Sequence, residues 1–196
     1  WLAGRDRPAA EDAWRAALAG FAEPTLLAEQ APAAEPVRQV TVELPDDLAT
    51  ILPQRVRALG LTLGSALHGA WGLLLGRLTG RRDVAFGSTV SGRQAEIAGI
   101  ESMIGLFINT IPVRLRWHAA EPLGDLLTRL AAEHAALLDH QHFGLASIQR
   151  LAGTGELFDS LVVLENYPDH AGLQNADGSL RVTGVEFREA THYAVS

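Results

Sequence analysis

The run Ile104 to Arg114, reading IGLFINTIPVR, constrains the fold more than any other part of the chain. It reads as the heart of a strand, Leu106 to Arg116, yet a plain buried strand has no use for Asn109. Burying that amide costs free energy unless its hydrogen bonds are met. Gly105 and Asn109 stand four residues apart, on one side of such a strand. Asn109 could hold an amide or carbonyl in a tunnel wall, or it could be satisfied by neighbouring backbone. Gly105 reads as a residue that permits tight packing.

The elements around this run alternate in type. Pro8 to Ala19 reads as a helix with Trp14, Leu18 and Phe21 on one side, closed by Gly20 and Pro24. Glu23 to Pro36, rich in alanine and proline, reads as an exposed connector. Val37 to Leu44 alternates apolar and polar residues, the period of a half-buried strand. Asp46 or Asp47 can cap a helix running to Leu59, made irregular by Pro53. Thr62 is a good cap for Leu63 to Leu78, apolar almost all round and so expected at the centre. Gly80 ends it.

Asp83 to Val90 reads as a strand in which Gly87 lets another backbone approach. A polar loop, Ser91 to Ser102, follows. Pro122 starts a helix through Leu138, with Leu126, Leu127, Leu130 and His134 on its inner stripe. Leu145 to Leu151 is a short helix. Leu161 to Leu164 is a continuous apolar run, expected as a central strand. Asp169 to Ser179 reads as a loop and Leu180 to Phe187 as a strand. This order predicts an α/β sandwich, a mixed sheet with helices packed on it.

At 196 residues the chain can build one good core. Its 47% apolar and 20% charged residues predict folding rather than disorder. A formal charge of −7 argues against nucleic acid or an anionic membrane as partner. Without cysteine there is neither a disulfide frame nor a thiolate zinc site, which fits a cytoplasmic location. No apolar run approaches the ~20 residues of a membrane span. Both ends read as cut from something larger.

Candidate chemistry is sparse. Ser91-Gly92-Arg93 leaves a strand end through a glycine, and Arg93 would keep any buried carboxylate it meets ionised. Its plain alternative is an exposed loop arginine. His134, His140 and His142 do not converge on one point at helical spacing, so no metal is expected. Ser160 follows Asp159 but has no histidine near it in sequence; it reads as a residue at a strand start near a site, or as a turn serine. GxSxG, GxGxxG and the phosphate-binding loop are absent.

VSGR (Val90 to Arg93), ESMIGLFINTIPVR (Glu101 to Arg114) and LFDSLVVLENYP (Leu157 to Pro168), in this order and spacing, resemble the condensation domains of nonribosomal peptide synthetases. Asp139 to Leu145 resembles a further element of that family, with Gly144 where the family usually has proline. The resemblance implies a chloramphenicol acetyltransferase-like two-layer sandwich. It further implies that residues 1–196 form most of the C-terminal lobe of a two-lobed domain, without its last strands. The family's HHxxxDG histidine is absent, so no catalytic residue is expected here. Arg93 would pair with the aspartate of that missing motif, while Gly105, Asn109 and Ser160 would line the site.

The implied reaction joins two carrier-bound thioesters through a peptide bond, and the wording of the motifs resembles domains that join two L-residues. Phosphopantetheine would arrive on donor and acceptor peptidyl carrier proteins and not be bound as a resident cofactor. The implied partners are the N-terminal lobe, those carriers and an adjacent adenylation domain. The alternative is a condensation-like domain that recruits partner enzymes without catalysis. By itself the piece is expected to be marginally stable, with apolar surface exposed.

Overall fold

The computed structural model describes residues 1–28, 38–93, 96–165 and 191–196. Among them are helices α1 (Arg7–Ala17), α2 (Asp46–Ala58), α3 (Leu63–Thr79), α4 (Leu123–Ala135) and α5 (Leu145–Ala152). The strands are β1 (Asp83–Val90), β2 (Asn109–Arg116) and β3 (Leu161–Val162). The expected loop at 169–179, the strand at 180–187 and most of the connector before 37 lie outside the described residues.

Helix starts follow local chemistry. Asp6 accepts from the Ala9 amide to open α1, and Thr62 accepts from the Ser65 amide to open α3. Gly80 closes α3 in the left-handed conformation at φ 72°. Pro45, not an aspartate, sits at the cap of α2, where Asp46 and Asp47 instead place negative charge in the first turn. Helix α2 continues through Pro53.

The sheet is mixed, in the order β2-β1-β3. β1 runs antiparallel to β2, from Asp83 opposite Arg116 to Val90 opposite Asn109. It runs parallel to β3 through Gly87 and Ser88. Val84, Phe86, Val113 and Leu115 cluster with Leu75 of α3 and with Leu126 and Leu130 of α4. Ala85 points to the other side of β1 and joins Trp14 of α1, Ile148 of α5 and Phe158 in a second cluster. Glycines set the approach of α3: a Cβ at Gly72 would meet Leu115 at 2.6 Å.

Four expectations are corrected. Residues 38–44 form no strand, and Val40 and Val42 are 84% and 80% exposed. Alternation favours a strand only where a neighbour supplies hydrogen bonds, and among the described residues none does. Helix α3 is not central: Leu63, Leu67, Leu74 and Leu78 are exposed opposite the face that holds His68, Gly72 and Leu75. β2 begins at Asn109, three residues later than expected. β3 lies at the end of the described sheet with two residues, and Val163 and Leu164 are partly exposed.

One ion pair ties the layers together. Arg114 donates to both oxygens of Asp83, at 2.8 and 2.6 Å across β1 and β2. Its remaining donors reach the carbonyls of Ala17 and Ala19 at the end of α1, and its guanidinium lies over Phe21. The Arg114 side chain is 8% exposed. Arg114→Met should lower folding stability by about 2–3 kcal/mol, because charged hydrogen bonds are lost and Asp83 is left without its partner. Denaturant titration checks this, and a loss below about 0.5 kcal/mol would show the clamp to be ornamental.

Candidate functional site

The site builds outward from the point where the chain enters β2. Asn109 donates through Nδ2 to the carbonyl oxygens of Gln141 (2.7 Å) and Phe143 (3.1 Å). Its Oδ1 accepts from the Thr110 amide at 3.0 Å. Both amide hydrogens are thus committed to the turn between α4 and α5. The polar residue in the apolar run fastens that turn to the sheet, which is the backbone-satisfied reading; no donor of Asn109 is left for a ligand.

Next to it, Gly92 takes a left-handed conformation at φ 64°. A Cβ there would overlap the carbonyl of Phe107, so only glycine lets the two segments meet. Arg93 donates to the carbonyl of Ile100 and, at 3.1 Å, to that of Met103. Its guanidinium also lies 4.7 Å from the centre of the Phe107 ring. Arg93 is half-buried, and among the described residues no carboxylate bonds it. It gathers the loop from Ile100 to Phe107 against the end of β1.

What this assembly holds out is apolar. Ile104 is 103% exposed and Leu106 91%, with Met103 and Ile108 also open to solvent. Gly105 lies in this exposed segment, not in a packed strand, and a Cβ on it would meet only the Phe107 ring. Ser160 lies on the far side of the sheet order, fully buried just before β3. Its Oγ accepts from the Trp71 indole at 3.4 Å, and its carbonyl accepts from the Gly87 amide. Arg93 and Asn109 therefore come together through the Ile100–Phe107 loop, while Ser160 sits inside the sheet.

Two histidines carry the electrostatics, and only His134 stands out in the sequence. His68, on the buried face of α3, has Nε2 2.9 Å from Ser88 Oγ on β1. Its ring lies 5.8 Å from that of His134 on α4. His134 in turn meets the Gln141 side chain at 3.5 Å. His142 packs edge-on against Trp1 instead. Among the described residues no three histidines or carboxylates gather as for a metal. The signal for His68 was its place on the Trp71 and Leu75 face, where a titratable residue interrupts an apolar stripe.

Burial first, then the charge of His134, pushes His68 down to about 4, and burial lowers His134 as well. An unfolded chain titrates histidine near ~6.5. As the pH falls from about 6.5 towards about 4, the unfolded chain therefore takes up protons that the folded chain refuses. Stability is full above that window and is lost within it, by up to about 1.4 kcal/mol per pH unit for His68. Melting curves between about pH 7.5 and pH 5 should show this loss, and His68→Gln should remove much of it. Equal slopes in the two proteins would contradict the neutral, buried imidazole.

Residues 2–195 match the family model described as Condensation domain. The chain is 37% identical over 196 residues to a vanchrobactin synthetase of Vibrio anguillarum, covering all of this chain and 7% of that protein. It is 38% identical over 199 residues to a chondramide synthase of Chondromyces crocatus, covering 98% of this chain and 5% of that protein. Among solved structures, a mutant starter condensation domain of rhizomide synthetase, in complex with C8-CoA and Leu-SNAC, matches with a TM-score of 0.62 at 26% identity. That match covers 80% of this chain and 35% of the other. The first condensation domain of the calcium-dependent antibiotic synthetase matches with a TM-score of 0.68 at 22% identity, over 82% of this chain and 37% of the other. The α/β fold is the chloramphenicol acetyltransferase-like fold of these domains. By sequence and by fold, the chain belongs to the condensation domain family.

Proposed function

We propose that this chain is most of the C-terminal lobe of a two-lobed condensation domain that forms a peptide bond between carrier-bound thioesters, joining two L-residues. The observation that carries the reading is the exposed apolar segment Met103 to Ile108, held out by Gly92 and Arg93 at one edge of the sheet. Apolar side chains fixed in solvent are disfavoured unless another surface covers them. The chain spans little more than a third of the solved condensation domains it matches, which leaves room for that surface. The other lobe would cover the segment and bring the histidine that this chain lacks.

In this reading the chain's residues position and do not react. Asn109 fixes the turn Gln141 to Phe143 beside the strand. Arg93 shapes the loop, and in the whole domain its guanidinium would also meet the aspartate of the other lobe. Phosphopantetheine arms on donor and acceptor carrier proteins would deliver both substrates, and an adenylation domain would load them. Holding two tethered acyl groups in reach of each other supplies much of the rate. Among the described residues no single helix is long and apolar enough to cross a membrane.

The test assays amide formation by the whole domain with two loaded carriers. Arg93→Ala and Asn109→Ala should each lower the rate by at least about tenfold, since misplacement near 1 Å costs on the order of 100-fold. Leu106→Asp should leave the melting temperature of this chain alone unchanged, because the side chain is already in water. In the whole domain it should abolish the reaction. Normal rates in all three variants would refute the proposal. A whole domain that forms no amide but captures another enzyme would instead support recruitment.

A further inference from the structure

Beside His68 lies a cavity of about 190 Å³, between the start of α3, the end of β1 and the middle of α4. Thr62, Ser65 and Ser88 bring hydroxyls to its walls, His68 and His134 bring imidazoles, and apolar residues such as Leu130 and Leu164 complete them. Among the described residues no aspartate, glutamate, lysine or arginine lines it. His68 is 7% exposed, and its Nε2 is engaged by Ser88. Its other ring nitrogen, Nδ1, has no hydrogen-bond partner among the described residues. Val90, at the cavity's edge, leads directly into Ser91-Gly92-Arg93.

These walls select by chemistry. A charged group entering would leave water for a place with no fixed counter-charge. A hydrocarbon group would leave the buried Nδ1 of His68 without a partner. An uncharged group that donates and accepts together meets both conditions, and a carboxamide is such a group. The lowered histidine pKa values agree, since both rings stay neutral and the free Nδ1 of His68 meets an uncharged group.

We propose that this cavity is a specificity pocket for the side-chain carboxamide of one acyl unit, as in a glutaminyl or asparaginyl thioester. The inference rests on the condensation reading and assigns it a substrate class. The pantetheine arm carries amides of the same chemistry, so the test separates the two sources.

The whole domain carrying this chain is assayed for amide formation with glutamine, glutamate and leucine thioesters, each on N-acetylcysteamine and on pantetheine. The glutaminyl substrates should exceed the other two in kcat/KM by about tenfold or more, as polar pockets discriminate by unpaired groups. His68→Leu should lower the glutaminyl rate more than the leucyl rate and so remove that advantage, and His68→Gln should retain most of it. If His68→Leu does not fold, Ser88→Ala should narrow the same ratio.

No glutaminyl preference, or an equal fall for all three side chains, overturns the proposal. A fall confined to pantetheine substrates, whatever their side chain, assigns the cavity to the arm and also overturns it. Absence of amide formation from every thioester by the unmodified domain refutes the condensation reading itself.

Discussion

Everything near the site depends on three hydrogen bonds made by one amide. Asn109 ties the carbonyls of Gln141 and Phe143 to the first residue of β2 and caps its own strand at Thr110. An unpaired amide buried here would cost about 1–3 kcal/mol, so the arrangement is stable only when complete. It fixes where α4 ends and α5 begins, and so where Phe143 and Ile148 enter the core with Trp14. It also fixes where pairing with β1 starts, since Asn109 stands opposite Val90. The residues before it are left outside the sheet.

That placement gives the apolar segment its character. Ile104, Leu106 and Ile108 are exposed although the loop is anchored at both ends, by Arg93 on Ile100 and Met103 and by Gly92 against Phe107. An unanchored apolar loop would fold back on the nearest core. Here the anchors prevent this, and Leu63 and Leu67 on α3 are likewise left exposed. The proposed second lobe explains the anchors and the exposure with one cause.

Much of this was legible in the sequence where a local rule decides. Thr62 and Gly80 bound α3 because capping and left-handed closure act within a few residues. Trp14, Leu18 and Phe21 were readable as one face because helical period reports burial directly. Where distant chain decides, local rules fail. Residues 38–44 have a strand's alternation, but among the described residues no strand pairs with them. The outward face of α3 is as apolar as the inward one, so composition could not tell them apart.

The site divided along the same line. Asn109 stood out because a buried amide demands partners, but those partners are carbonyls more than thirty residues away that no spacing reveals. The meeting of His68, Ser88 and His134 joins α3, β1 and α4, three elements that a single sequence does not align. The family's motifs pointed to Arg93 and Ser160, yet they could not say that one faces the loop and the other is sealed beneath Trp71.

The central claim, that Met103 to Ile108 is an interface with a second lobe, has a direct reporter. Met103 is the only methionine in the chain and lies at the start of that segment, partly exposed. Its oxidation by dilute peroxide can be followed by mass spectrometry in this chain alone and in the whole domain. The account predicts ready oxidation in the isolated chain and at least about tenfold slower oxidation in the whole domain, as burial excludes the oxidant. Equal rates in both would contradict it.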